Sequence, residues 1–365
     1  MTKLKVAVFF GGKSAEHEIS LISAQNVIRS LNRDKYVPVL IAIDHEGQWF
    51  YQADEDLLFV TDDPKKVKIL HKSTPVMLSP VSNDHRILHT ATLDEIERID
   101  IINPVLHGTY GEDGAIQGLA KMANLPCVGC GILGSSVGMD KEIMKRILSA
   151  NGINNAPYVT IRRNDNPYPK YGDIQSDLGD ELFVKPANMG SSVGITHVKS
   201  EEDFQGALDY AFQYDNKIII ESRVIGREVE CAVMGNLDPK ASIVGEVIPK
   251  GGFYSYESKY IDEDGAALEV PAKITEDELK LIQETSIRTY KVLECRGITR
   301  VDMFFTPQGE CYINEVNTLP GFTKISMYPT LWGLSGVPIE DLVDRLIHYA
   351  IEEHRDLENL EVKFS

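Results

Sequence analysis

The first 45 residues alternate apolar runs with an amphipathic helix, and this order restricts the chain to a small set of folds. A strand-like run, KLKVAVFF, is followed by the turn GGKS and by a helical pattern over 15–31. Two further continuous apolar runs are YVPVLIAID and IDIINPVL. Such runs are typical of parallel strands covered on both faces. We therefore predict an N-terminal, parallel, doubly wound α/β layer.

The pattern becomes α+β after residue 130. The strand-like segments YVTIRR, LFVKPA, GITHVK and KIIIESRV are interleaved with helices, and REVECAVMG, ASIVGEVIP, ITRVDMFF and CYINEVN follow with two more helices. The weakly patterned stretch 62–95 receives no predicted element. For a chain of 365 residues we expect three domains with ligands between them, at 1–129, 130–221 and 222–365.

The net charge, the lack of long apolar runs and the cysteine count limit the possible partners and location of the protein. The formal net charge of -18 argues against non-specific binding to nucleic acid or to an anionic membrane face. The sequence has no run of ~20 apolar residues and no signal-peptide core, so we expect a cytoplasmic protein. Five cysteines, an odd number, fit a reducing compartment. Cys127 and Cys130 have metal-pair spacing, but no second pair completes a zinc site, and a glycine turn between small half-buried residues is the favoured interpretation.

The segment ITRVDMFFTPQGECYINEVN predicts a hairpin with carboxylates on one face. If Pro307 faces Glu310 in the turn, Asp302 lies opposite Glu315. The other face then carries the apolar side chains that a buried side needs: Val301, Met303, Phe305, Tyr312 and Val316.

The same register places Arg300 opposite Asn317, beside the two carboxylates. Carboxylate and amide oxygens next to an arginine suit a hard cation that also touches phosphate, as magnesium does. A structural salt-bridge cluster is the alternative from these residues alone.

Two further segments indicate a nucleotide site of unusual architecture. In LFVKPANMGSSVG, Lys185 precedes the glycines that can approach phosphate oxygens; in a Walker A loop the lysine follows them. The GGKS turn also fails that motif, because Ala7 stands where its first glycine belongs. The long segment IPKGGFYSYESKYIDEDGA lacks either secondary-structure period and is typical of a lid. The alternative for the Lys185 segment is a glycine-serine turn with an exposed lysine, and the alternative for the long segment is a flexible surface excursion.

Three polar residues, Glu16, His17 and Glu18, begin the first predicted helix just after a strand end. In α/β sheets ligands collect at this edge. Carboxylates there also favour the helix dipole without any ligand.

Taken in order, the motifs GGKSAEHEIS, HGTYGEDGAIQG, MDK, KPANMGSSVG, KYIDEDG, RVDMF and NEVNTLPGFT closely resemble those of the D-alanine:D-alanine ligases, a family of the ATP-grasp superfamily. The resemblance extends over most of the chain. It implies a three-domain ATP-grasp fold and magnesium- and ATP-dependent ligation of two D-alanine molecules through a D-alanyl phosphate. It also implies a homodimer.

The resemblance implies roles for residues on the substrate side. Glu16 would bind the ammonium of the first D-alanine and form a hydrogen-bonded triad with Ser191 and Tyr260. His107 would lie near that substrate, and Ser326 would hold the carboxylate of the second. A tyrosine at position 260 accompanies dipeptide formation in the family, so Tyr260→Phe is expected to allow a D-lactate product.

The resemblance likewise implies the catalytic and metal residues. Arg300 and the backbone of Gly321 would stabilise the oxyanion of the tetrahedral intermediate. Asp302, Glu315 and Asn317 would bind magnesium, or manganese, as two ions. The residues implied for ATP are Lys141, Lys185, Ser192, Glu221, Glu228 and Lys259.

Three other functions remain open from the sequence. Another ATP-grasp ligase would share Lys185 and the metal set, so the substrate-side residues alone separate the two. A non-catalytic nucleotide-binding module would bind ATP without turnover. A Rossmann oxidoreductase is weaker, because no G-x-G-x-x-G follows the first strand.

Overall fold

The computed structural model describes residues 2–53, 61, 63, 66–69, 72–249 and 266–361. The N-terminal part contains β1 (Leu4–Gly11), α1 (His17–Ser30), β2 (Tyr36–Ile43), β3 (Trp49–Gln52), β4 (Val76–Leu78), β5 (Arg86–His89), β6 (Glu95–Arg98), β7 (Ile101–Leu106) and α2 (Ala115–Ala123). Its main sheet has the order β3-β2-β1-β7, and β1 pairs in parallel with both β2 and β7. The predicted parallel layer is confirmed, with β3 added antiparallel at the edge.

A small antiparallel sheet, β4-β5-β6, occupies much of the region for which the sequence predicted no element. Its strands are three or four residues long. Strands this short give too few alternating positions for a period to be recognised.

The central part contains α3 (Ile132–Met139), α4 (Lys141–Ala150), β8 (Tyr158–Arg162), α5 (Tyr171–Leu178), β9 (Leu182–Pro186), β10 (Thr196–Val198), α6 (Glu201–Ala211) and β11 (Lys217–Ser222). The strands form an antiparallel sheet in the order β10-β9-β11-β8. The predicted strands are confirmed here. Asp140 caps α4, because its side chain accepts a hydrogen bond from the backbone N–H of Ile143.

The C-terminal part contains β12 (Arg227–Gly235), β13 (Lys240–Pro249), β14 (Ala266–Glu269), α7 (Glu276–Val292), β15 (Gly297–Phe305), β16 (Cys311–Asn317), α8 (Met327–Leu334) and α9 (Ile339–Glu358). Its sheet has the order β14-β13-β12-β15-β16. A capping box at Thr275 and Glu278 begins α7. Among the described residues, none of the helices is long and apolar enough to cross a membrane.

The N- and C-terminal parts share a hydrophobic core. Leu21 and Val27 of α1 belong to the same buried cluster as Trp332 of α8 and Leu346 of α9. This packing places the middle of α1 beside the loop between β16 and α8. The division into domains at 1–129, 130–221 and 222–365 stays a prediction.

The hairpin of β15 and β16 has the predicted pairs but a different turn. Arg300 lies opposite Asn317 and Asp302 opposite Glu315, as predicted. Nearer the turn the register shifts by one, so Phe305 faces Cys311 and the predicted facing of Pro307 and Glu310 is wrong. An irregularity after Asp302 restores the predicted register at the far end.

The same irregularity changes which side chain of β16 is buried. Ile313, opposite Met303, is 1% exposed. Tyr312 lies opposite Phe304 and is half-buried, so its predicted place on the buried face is wrong.

Candidate active site

A cavity of about 350 Å³ lies where the three parts of the chain meet. Its walls come from the start of α1, the loop after β7, the 189–191 loop, β15, β16 and the loop before α8. Nine residues predicted from the sequence line it: Glu16, His107, Lys141, Ser191, Arg300, Glu315, Asn317, Gly321 and Ser326. A concave site with a few convergent polar groups is the usual form of a small-molecule site.

Glu16 and Ser191 meet across the cavity although 175 residues separate them. The Ser191 hydroxyl donates a hydrogen bond to Oε1 of Glu16. Ser191 has a φ of 52° and Ser192 a φ of 58°, so two consecutive left-handed residues turn the loop toward Glu16. Ser14 fixes Glu16 from the other side: its Oγ accepts from the Glu16 N–H at 2.9 Å and donates to the carbonyl of His107 at 2.7 Å.

His107 is buried, and both of its ring nitrogens have partners within the protein. Nδ1 lies 2.9 Å from the Leu319 carbonyl and Nε2 lies 3.1 Å from the Ser23 hydroxyl. Burial lowers the pKa of this imidazole, and it outweighs the opposing charge of Glu16. His107 is therefore neutral near pH 7 and contributes geometry to the site.

Glu112 is a buried carboxyl that the sequence analysis did not single out. Its Oε2 accepts from the Gly108 N–H at 2.8 Å and its Oε1 accepts from the Leu319 N–H at 3.1 Å. Burial, and then the nearby charge of Glu16, raise the pKa of this group to about 8. Its position in the HGTYGEDG motif was the signal that could have identified it.

Arg300 is held by carboxylates on the site face of the C-terminal sheet. Its guanidinium donates to both oxygens of Asp302, at 2.7 and 2.6 Å, and lies 2.9 Å from Glu230. Burial opposes the charge, but Asp302 and Glu230 outweigh it and raise the pKa of Arg300 well above its ordinary value. Glu230 was missed, although it alternates with Glu228 along β12 and faces Asp302.

The predicted metal residues form a donor set that suits a hard cation. Asp302 and Glu315 are directly opposite on neighbouring strands. The Oδ1 of Asn317, one step away, is buried without a hydrogen-bond partner in the described part of the chain. Because a buried amide oxygen without a partner is costly, it is available as a ligand. These residues fit magnesium.

A second group, beyond the cavity wall, combines two lysines with one carboxylate. Glu221 on β11 lies 2.6 Å from the ammonium of Lys185 and 2.9 Å from that of Lys145. Burial opposes ionisation of Glu221, but the two lysines lower its pKa to about 2. Burial lowers the pKa of Lys145, which the sequence analysis missed. With three charges in contact the group keeps one surplus positive charge, which favours an anion such as phosphate.

The remaining predicted residues have fewer described contacts with the rest of the site. Lys141 lies 3.7 Å from Glu315 and donates to the carbonyl of Met189 at 2.6 Å. Glu228 is half-buried on the face of β12 that carries Glu230. Ser326 accepts from the Thr323 N–H at 2.9 Å. Two predicted residues lie outside the described ranges, namely Lys259 and Tyr260.

His17, Glu18 and His45 form another group with metal-ligating atoms within 4.8 Å of one another. The two imidazole rings stack, with centroids 3.9 Å apart and planes inclined by 27°. A ring nitrogen binds a metal in the plane of its ring, so two stacked rings do not converge on one ion. We assign no metal to this group.

Comparison with known proteins gives matches over nearly the whole chain. A family model described as "D-ala D-ala ligase N-terminus" matches residues 5–130, and one described as "D-ala D-ala ligase C-terminus" matches 147–348. A D-alanine--D-alanine ligase of Shouchella clausii is 48% identical over 97% of this chain and 96% of its own. D-alanine--D-alanine ligase A of Escherichia coli K12 is 45% identical over 97% of each.

Solved structures agree with these matches. The D-alanine-D-alanine ligase of Coxiella burnetii aligns with a TM-score of 0.84 and 36% identity, covering 98% of this chain and 97% of its own. The VanG D-Ala:D-Ser ligase of Enterococcus faecalis aligns with a TM-score of 0.85 and 36% identity, covering 96% of this chain and 100% of its own. Both alignments cover at least 96% of this chain.

Proposed function

The chain belongs to the D-alanine–D-alanine ligase family, and from that membership we propose which of its residues carry each step of the reaction. The protein is an ADP-forming ligase of the ATP-grasp fold that joins two D-alanine molecules for peptidoglycan synthesis. The observation that carries the residue assignment is the meeting of Glu16, Ser191, Arg300 and Gly321 around one cavity.

The first step makes a carboxylate reactive. A carboxylate is a poor electrophile, so the γ-phosphoryl group of ATP passes to a carboxylate oxygen of the first D-alanine, and ADP leaves. Glu16, oriented by Ser14 and Ser191, binds the ammonium of that D-alanine. The surplus positive charge at Lys145, Lys185 and Glu221, with Lys141 nearby, offsets negative charge on the phosphates. Further ATP contacts are proposed for three residues, Ser192, Glu228 and Lys259.

The second step forms the peptide bond. The free amine of the second D-alanine attacks the acyl phosphate carbon, and the carbonyl oxygen becomes an oxyanion before phosphate leaves. Arg300 and the backbone N–H of Gly321 stabilise that oxyanion. Ser326 holds the carboxylate of the second substrate, and Tyr260 completes the triad with Glu16 and Ser191.

Asp302, Glu315 and Asn317 would hold magnesium or manganese, as two ions. When bound, the metal neutralises phosphate charge and orients the phosphoryl group. Arg300 is fixed by Asp302, so ligands for the metal and the oxyanion donor share one carboxylate. We also propose that the protein is a cytoplasmic homodimer and that each subunit has the three predicted domains.

The test is ADP release from Mg-ATP, with the product identified by mass. D-Alanine is compared with L-alanine, with D-alanine plus D-lactate, and with D-alanine plus D-serine, because one structural relative is a D-Ala:D-Ser ligase. We expect D-alanine-dependent ADP release and the D-alanyl-D-alanine mass. A larger yield of D-Ala-D-Ser than of D-Ala-D-Ala would mean that the second substrate is D-serine. ATP binding without turnover would reject the proposed ligase activity.

A further inference from the structure

The loop that carries Gly321 is fastened at both ends by side chains from the N-terminal part of the chain. At one end, Glu112 accepts from the N–H of Leu319 at 3.1 Å and His107 contacts its carbonyl at 2.9 Å. At the other end, Ser23 accepts from the N–H of Phe322 at 3.1 Å and Asn26 donates to its carbonyl at 2.8 Å. These four contacts join residues that are between 207 and 299 positions apart in the sequence.

The two residues between these ends are Pro320 and Gly321. Proline has no N–H and a fixed φ, so it adds no donor and little freedom. The Gly321 N–H has no hydrogen-bond partner within the described ranges, and Gly321 lines the cavity. A Cβ at this position would come within 2.8 Å of the Ser326 hydroxyl, so the glycine leaves room for that group. One backbone donor is therefore left for a ligand.

The direction of each hydrogen bond at His107 follows from its partners. The Leu319 carbonyl can only accept, so the proton of the neutral ring is on Nδ1. Nε2 is then an acceptor, and the Ser23 hydroxyl donates to it. The oxygen of Ser23 keeps a lone pair for the Phe322 N–H. The Ser23 hydroxyl thus donates to the imidazole and accepts from the loop, and so connects the two.

We propose that Ser23, Asn26, His107 and Glu112 are positioning residues that preorganise the Gly321 N–H as an oxyanion donor. The inference rests on the oxyanion role proposed above for Gly321. An oxyanion donor is effective only if it is already aimed before charge develops, because reorganisation during the reaction costs rate. A loop held at both flanking peptide groups satisfies that requirement.

Ser23 provides the clean test, because it is fully buried and, unlike its three companions, does not line the cavity. A change at Ser23 reaches the substrate only through His107 and the loop. Ser20 is the matched control: it is a fully buried serine on the same helix whose hydroxyl accepts from the Gly11 N–H and donates to the Val105 carbonyl. Both alanine variants remove two hydrogen bonds and orphan one backbone N–H.

The experiment measures kcat, KM for D-alanine and for ATP, and unfolding by urea for the wild type, Ser23→Ala, Ser20→Ala and Ser23→Thr. Misplacing a donor by about 1 Å costs roughly 100-fold in rate. We expect Ser23→Ala to lose roughly 10- to 100-fold in kcat with KM values within about threefold. Ser20→Ala should lose similar stability and keep kcat within about twofold, and Ser23→Thr, which retains the hydroxyl, should recover most of the kcat.

Three results would overturn the inference: equal kcat for Ser23→Ala and Ser20→Ala at equal stability, a loss confined to KM, or no recovery by threonine while the threonine variant stays folded. Failure of the proposed function is a separate result, because it appears as absence of D-alanine-dependent ADP release in the wild type.

Discussion

Glu112 and Glu221 are both buried glutamates beside the same reaction site, yet their pKa values are raised to about 8 and lowered to about 2. Glu112 meets two backbone N–H groups and the negative charge of Glu16, whereas Glu221 lies between two ammonium groups. The group around Glu112 is thus fixed by hydrogen bonds to backbone, and the group around Glu221 by ion pairs. Hydrogen bonds fix where a donor points, and ion pairs fix how much charge a site presents.

The largest expected effect comes from breaking the charge compensation with Glu221→Gln. This change leaves Lys145, which is fully buried, without its carboxylate. Removing one partner of a buried pair costs about 3–5 kcal/mol. Urea unfolding at pH 7 measures the loss, and Glu221→Gln combined with Lys145→Met should recover part of it. A loss below about 1 kcal/mol would show that the pair is screened like a surface ion pair.

The stability that Glu221 contributes should also depend on pH, in a direction that its pKa fixes. The pKa of Glu221 is lowered in the fold from its ordinary value of 4.5 to about 2. Its contribution is therefore fully present above about pH 4.5 and is lost as pH falls through about 2. The stability difference between wild type and Glu221→Gln should shrink over that acid range.

Glu112→Gln should act in the opposite direction with pH. Glutamine offers one acceptor oxygen to two N–H groups, so at pH 5 the variant is expected to lose about 1–3 kcal/mol through an unsatisfied donor. In the wild type the raised pKa means that stability is full below about pH 4.5 and falls as pH rises through about 8. The glutamine does not titrate.

Unfolding free energies of both proteins at pH 5, 7 and 8.5 test this. The gap between wild type and Glu112→Gln should narrow as pH rises and reverse in sign by pH 8.5, because a pKa raised from 4.5 to about 8 outweighs one unsatisfied donor. A gap independent of pH would mean that Glu112 is ionised throughout, and the contrast with Glu221 would disappear.

The sequence predicted those features of the site that depend on strand pairing within one hairpin or on motifs. The opposition of Asp302 to Glu315 followed from the assumed hairpin register, and it held because a one-residue irregularity in β16 compensates a one-residue error at the turn. Lys185 was assigned to the nucleotide from its segment and Glu221 from the family resemblance, and the structure adds that they contact each other.

Contacts between distant segments could not be predicted in this way. Ser23 and Phe322 are 299 residues apart, and neither position carries a pattern that identifies the other. Their meeting depends on α1 sharing a hydrophobic core with α8 and α9, which is a property of the whole fold. Short strands such as β4 were missed for the simpler reason that they have no recognisable period.

The smallest expected effect distinguishes the two hydrogen bonds at the Phe322 end of the Gly321 loop. Asn26→Ala removes one donor to the Phe322 carbonyl, and because Asn26 is half-buried beside the cavity, water can replace it. We expect a loss of about 1 kcal/mol in stability and up to about fivefold in kcat. Asn236→Ala is the control outside the cavity lining: Asn236 donates to the Tyr349 carbonyl at 3.0 Å and to the Glu352 carboxylate at 2.7 Å. Its stability loss should be at least as large, with kcat unchanged. If Asn26→Ala instead lowers kcat as much as Ser23→Ala, the carbonyl end of Phe322 holds the loop as firmly as the N–H end. An unchanged kcat would leave Ser23, His107 and Glu112 as the sufficient set of hydrogen bonds that aim the Gly321 N–H.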